Sequence, residues 1–157
     1  MKSILIVLMS FFLVSCSSKS ALEYFDKTDI EAKAFQESKK GDYLENGTPK
    51  VILWATYLNN VDEKKYRKNE QFLVSIYTSN SQTQSLRDLS YDFNLNSKGA
   101  FYIEKLDKDN EMLKLISKNN WGEYYLIMFQ KEQNDNLKLE LTKDSKSIID
   151  LSFVKVQ

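Results

Sequence analysis

Glu123-Tyr124-Tyr125-Leu126-Ile127-Met128-Phe129, then Gln133-Asn134-Asp135-Asn136, then Leu137-Lys138-Leu139-Glu140-Leu141-Thr142: this stretch decides the fold. The first piece is apolar at nearly every position and too short for a buried helix of ordinary length, so it predicts a strand covered on both faces. The second is a cluster of turn formers. The third alternates apolar and polar residues with period two, which predicts a strand with one wet face.

The same period recurs outward from this stretch. Ile149, Leu151 and Phe153 alternate with Asp150 and Ser152, after a turn over Lys143 to Lys146. Tyr91, Phe93 and Leu95 alternate with Asp92, Asn94 and Asn96. Phe101 and Ile103 suggest a short strand, and Leu113 and Leu115 suggest one weakly, in a stretch equally compatible with a helix. Phe72 to Thr78 carries Phe72, Val74 and Ile76 on one face. Val51 to Leu58 is apolar on both faces, and Trp54 lies within that run as a core candidate. Seven or eight short strands without long intervening helices predict a mainly β, antiparallel β-sandwich.

An N-terminal helix should precede the sandwich. Thr28 and Glu31 have the spacing of a capping box. Asp29 and Glu31 lie in the first turn and Lys39 and Lys40 in the last, and Gly41 suits a left-handed stop, so the helix is predicted from Asp29 to Lys40. Ala21, Leu22, Tyr24 and Phe25 extend the apolar pattern upstream. Asp42 to Pro49 reads as a turn-rich connection. The predicted layout is therefore a helix and connecting turn over residues 21–49 and the sandwich over 50–157.

The segment Asn120-Trp121-Gly122-Glu123-Tyr124-Tyr125, placed before a buried strand, resembles the tyrosine corner of immunoglobulin-like folds. It has neither the Asp nor the Cys of that motif. The resemblance implies an immunoglobulin-like arrangement of the sheets.

Composition excludes several chemistries. The chain has 22 basic and 22 acidic side chains, no histidine and one cysteine, Cys16. Charge balance argues against a nucleic-acid binder, which would show a basic excess. Without histidine there is no Ser-His or Cys-His catalytic pair and no imidazole ligand for zinc or copper. No cofactor and no metal is expected.

The beginning of the chain has a different character. Lys2 precedes an apolar run from Ile4 to Val14, about half the ~20 residues a bilayer crossing needs, so the run has the length of an export signal's core. It ends in Leu13-Val14-Ser15-Cys16, which resembles the lipobox of bacterial lipoproteins. That resemblance covers residues 1–16. It implies a signal peptide over 1–15, cleavage before Cys16, a diacylglyceryl thioether on the Cys16 sulfur and, usually, acylation of the new amino terminus. Two or more acyl chains give stable attachment where one gives only marginal binding. Residues 16–20 then form the lipidated Cys and a short tether. Ser17 in place of Asp implies, if the host is Gram-negative, transfer to the outer membrane.

Further candidate residues are few. Trp121, flanked by Asn119, Asn120 and Gly122, is the candidate for contact with a partner. Asp107-Lys108-Asp109-Asn110-Glu111 has oxygen ligands at alternate positions but lacks the glycine and distant glutamate of a calcium loop, so a hairpin turn is expected there. The charged run Val61 to Gln71 reads as a solvated loop. These features predict an envelope lipoprotein, held to the membrane by lipid on Cys16, that acts as a non-enzymatic binding or assembly module with an envelope protein partner. The alternatives are a carrier of a small apolar ligand in a β-barrel cavity and, behind it, a carboxylate-dependent envelope hydrolase.

Overall fold

The computed structural model describes residues 28–79, 85–86 and 89–156. Helix α1 (Asp29–Gln36) starts with the expected capping box: the Thr28 hydroxyl accepts the Glu31 N–H at 3.4 Å, and the Glu31 carboxylate accepts the Thr28 N–H at 3.0 Å. It stops at Gln36, four residues short of the predicted end. Ser38 turns its hydroxyl back onto the Ala34 carbonyl at 2.7 Å, and the chain leaves as strand β1 (Ser38–Glu45).

Strand β1 was invisible to periodicity because its sequence, Ser-Lys-Lys-Gly-Asp-Tyr-Leu-Glu, has no alternation. It forms through pairing with β2 (Thr48–Tyr57), in which Lys39 lies opposite Ala55 and Gly41 opposite Leu53. Gly41 is thus not a helix stop. It allows β1 to pass close to the other sheet, where a Cβ would sit 2.6 Å from Ile149 Cγ2. Asn46 and Gly47, both at positive φ, make the two-residue hairpin turn between β1 and β2. The boundary expected at residue 49 falls inside β2, and the β structure begins at Ser38.

The remaining elements are α2 (Leu58–Val61), α3 (Glu63–Tyr66), β3 (Glu70–Thr78), β4 (Tyr91–Leu95), β5 (Lys98–Gly99), β6 (Tyr102–Leu106), a 3₁₀ helix (Glu111–Leu115), β7 (Glu123–Phe129), β8 (Asn136–Lys143) and β9 (Lys146–Val154). Leu113 and Leu115 belong to the 3₁₀ helix, the helical option for that stretch. Two antiparallel sheets result, with strand orders β1-β2-β3-β7-β6 and β5-β4-β8-β9. They face each other as a sandwich and do not close into a barrel. The order departs from the immunoglobulin arrangement, in which the second and third strands lie in different sheets. Here β1, β2 and β3 are successive neighbours: a two-residue turn joins β1 to β2, and α2 and α3 lie in the connection from β2 to β3.

The core between the sheets is built from the alternations read in the sequence. Val51, Leu53, Ala55 and Tyr57 of β2, Phe72, Val74 and Ile76 of β3, and Tyr125, Ile127 and Phe129 of β7 face the inner residues of β4, β8 and β9. A second cluster covers the outer face of the five-stranded sheet, where Leu73, Tyr124 and Leu126 pack under Leu58, Tyr66, Leu113 and Ile116. That second layer explains why the central strands are apolar on both faces. Trp54 belongs to this outer layer and is only partly buried, with the Lys40 ammonium 5.3 Å from its ring centroid. The core position expected for it goes instead to its neighbours Leu53 and Ala55. The outer face of the four-stranded sheet is wet, and there Lys138 pairs with Glu140 at 2.9 Å and Asp150 at 3.0 Å.

Candidate functional site

The Trp121 loop is built on Asn119. The Asn119 side-chain oxygen accepts the N–H groups of Trp121 (3.1 Å) and Gly122, while its amide donates to Ser75 Oγ at 3.2 Å on β3. Tyr124 secures the same residue from the other side: its hydroxyl accepts the Asn119 N–H at 2.6 Å and donates to the Asn119 carbonyl at 2.9 Å. A tyrosine hydroxyl bonded to backbone a few residues upstream is the local feature of a tyrosine corner, present here within a different strand order. Gly122 is required at its position, since a Cβ there would lie 2.8 Å from both Asn119 Oδ1 and Ser75 Oγ. Lys108 Nζ donates to the Asn120 carbonyl at 3.2 Å. Trp121 is thereby presented on a braced turn with 74% of its surface exposed, the most exposed large apolar side chain described.

Asp107 to Glu111, weighed as a calcium loop, is a turn closed by the Asn110 N–H on the Asp107 carbonyl at 3.0 Å. Asn110 also caps the 3₁₀ helix through its bond from the Met112 N–H at 2.9 Å. Cys16, residues 1–15 and the tether lie outside the described residues. Among the described residues no helix is long and apolar enough to cross a membrane.

A second constellation was missed in the sequence. Val61 to Gln71 is not a solvated loop throughout: Val61, Tyr66 and Glu70 are buried, and Glu70 is 0% exposed. Its carboxylate accepts the Tyr57 hydroxyl at 2.5 Å, the Glu132 N–H at 2.9 Å and the Lys155 ammonium at 2.9 Å, with Lys131 Nζ at 3.6 Å. Burial pushes the Glu70 carboxyl up, but the hydrogen bonds from Tyr57, Lys155 and Glu132, with the charge of Lys131, outweigh it and leave the group below the ordinary carboxylate range. Burial and the adjacent Glu70 push the Tyr57 phenol far above its usual value.

The signal for this cluster was one of phase. Glu70 continues the inward stripe Phe72, Val74, Ile76; Tyr57 continues Val51, Leu53, Ala55; Lys131 continues Ile127, Phe129; Lys155 continues Leu151, Phe153. Polar groups that extend core stripes meet at one end of the sandwich and satisfy each other there. Asn60 holds the same end, donating to Glu37 Oε2 and the Val154 carbonyl at 2.8 Å each and accepting the Val156 N–H at 3.1 Å.

Chemically, the Glu70 carboxylate is buried and fully occupied by its partners, and only the Lys131 ammonium of the cluster reaches well into solvent. Among the described residues, the two carboxyls with a resolved shift, Glu70 and Asp150, are both lowered, the latter through Ser147 and Lys138. A general acid in glycoside hydrolysis needs a raised one. The described hollows are surface grooves, such as one of 410 Å³ between α1, α3 and the 3₁₀ helix. The fold and site therefore define an antiparallel β-sandwich with a helical outer layer, a locked polar end and a braced, exposed tryptophan. In comparison with known proteins, the chain matches no family model, no curated protein and no solved structure.

Proposed function

We propose that the protein is a membrane-anchored lipoprotein of the bacterial envelope that acts as a non-enzymatic binding or assembly module, with Trp121 as its contact to an envelope protein partner. The observation that carries the contact is the exposure of Trp121 on a turn fixed by Asn119 and Tyr124. Leaving an indole in water forgoes burial worth roughly 2–3 kcal/mol, and exposed tryptophans are favoured anchors of interfaces because they bring much area at little entropic cost. The anchor rests on Leu13-Val14-Ser15-Cys16 and the apolar run before it, and Ser17 favours the outer membrane if the host is Gram-negative.

The test is crosslinking in intact cells with tagged full-length chain, followed by purification and mass spectrometry, for the natural sequence, Cys16→Ala and Trp121→Ala. One dominant envelope protein, recovered with the natural chain and weakened in both variants, supports the reading. An unchanged set of crosslinks in Trp121→Ala contradicts the assigned contact. An unchanged set in Cys16→Ala contradicts the anchor.

A further inference from the structure

The free edges of the two sheets are treated unequally. Edge strand β1 lies against edge strand β9 of the other sheet, so closely that Gly41 is the only size that fits beside Ile149 and Leu151. Edge strand β5 is two residues long. Strand β6, outermost in the five-stranded sheet, pairs with β7 on one side only and is the one long edge left open among the described residues. Such an edge is a row of unpaired N–H and C=O groups ready for another strand.

The side chains on this edge are also unusual. Phe101, Tyr102 and Ile103 are 50%, 42% and 41% exposed, three large apolar residues in succession. A run of that kind on a surface is unfavourable unless something covers it. We propose that strand β6 pairs antiparallel with β6 of a second copy of this chain, joining two five-stranded sheets across a two-fold axis at Ile103.

The register follows from the sequence of the strand. Facing residues in an antiparallel pair lie on the same side of the sheet, so the two-fold axis must pass through a residue position. With Ile103 facing its twin, Tyr102 faces Glu104 of the second copy and Phe101 faces Lys105. An acid then meets a phenol, an ammonium meets a ring, and an aliphatic pair occupies the axis. Moving the axis to Glu104 would set two carboxylates directly opposite, which is destabilising. Tyr102 and Lys105 already show the required preferences within one chain, at 2.9 Å to Glu104 and 2.8 Å to Glu123 respectively. The inference stands on the sheet edge and does not depend on the lipid anchor or on Trp121. With the axis at Ile103 the two β6 strands overlap over residues 102–104, with Lys105 facing Phe101 just before the strand; this is small beside the ~1,200 Å² of a stable interface, so the dimer is weak, and crosslinking is the appropriate readout.

The test is oxidative crosslinking of full-length Ile103→Cys in membranes and in mild detergent, with Ser152→Cys on the outer face of β9 as control and the natural chain to report any linkage through Cys16. Circular dichroism confirms folding of both variants. Pairing raises the effective thiol concentration into the millimolar range, so Ile103→Cys should form covalent dimer on the order of 100-fold faster than Ser152→Cys. Adding Tyr102→Glu to Ile103→Cys sets a carboxylate directly opposite Glu104 of the second copy on both sides of the axis and should cut that rate at least about tenfold. Equal rates at positions 103 and 152 would overturn the proposal. So would linkage of position 103 to a different envelope protein, which would show that the edge takes a foreign strand.

Discussion

Replacing Lys155 by Met keeps the aliphatic stem and removes the ammonium that lies 2.9 Å from the fully buried Glu70. Removing one partner of a buried ion pair costs about 3–5 kcal/mol, because the other charge stays desolvated. The Tyr57 hydroxyl and the Glu132 N–H remain, and Lys131 is still 3.6 Å away but half exposed. These survivors place the expected loss near the lower end, about 3 kcal/mol at pH 7.

The sign of the pH dependence separates this account from simple loss of packing. In the natural protein Glu70 is held below its ordinary value. It contributes stability above the unfolded pKa, and that contribution is lost as pH falls through the folded pKa. In Lys155→Met one of the bonds that hold Glu70 down is gone and its folded pKa rises, so ionisation is worth less to the folded state and protonation relieves part of the deficit. Urea unfolding followed by tryptophan fluorescence should therefore show the full deficit at pH 7 and about half of it or less near pH 4. A deficit below about 1 kcal/mol at pH 7, or one equal at both pH values, would refute the role assigned to the buried carboxylate.

Tyr57→Phe removes the hydroxyl bonded to Glu70 and should cost roughly 1.5–3 kcal/mol in the same unfolding assay, the range for hydrogen bonds to charged groups. Gly41→Ala places a methyl where Ile149 Cγ2 lies 2.6 Å away; the packing of Ile149 and Leu151 must shift, and a loss of about 1–3 kcal/mol is expected, read as a lower thermal midpoint. Asn119→Ala frees the Trp121 and Gly122 N–H groups and should cost only about 1 kcal/mol, yet it should lower the steady-state fluorescence anisotropy of Trp121 measured in a Trp54→Phe background. Unchanged anisotropy would show that the turn is held by something other than Asn119.

Much of the sandwich was legible because strands β3, β4, β8 and β9 advertise their inner faces with period two, while β2 and β7 show as short apolar runs. Strand β1 was not legible. Its residues Ser38 to Gly41 were assigned to the end of a helix on charge and a glycine, which are local signals, whereas its strand state comes from pairing with β2 and from the close approach to Ile149 and Leu151. Trp54 was placed in the core because an apolar run cannot say which of its two faces is the sandwich interior. The exposure of Trp121 was legible from its Asn and Gly neighbours, while the Asn119–Ser75 brace joins residues far apart in sequence and was not. The Glu70 lock was hidden because a carboxylate in a charged run looks solvated. Only its phase with Phe72, Val74 and Ile76 points inward, and that phase has meaning only once Tyr57, Lys131 and Lys155 are known to meet it.

The proposed anchoring of this sandwich to the envelope is tested most directly by the mass of the N-terminal peptide from full-length protein recovered from bacterial membranes. The account predicts a peptide that begins at Cys16 and carries a diacylglyceryl thioether, with or without an amide-linked acyl chain. A peptide that begins at Met1, or an unmodified Cys16 in protein recovered from the membrane-free fraction, would contradict it.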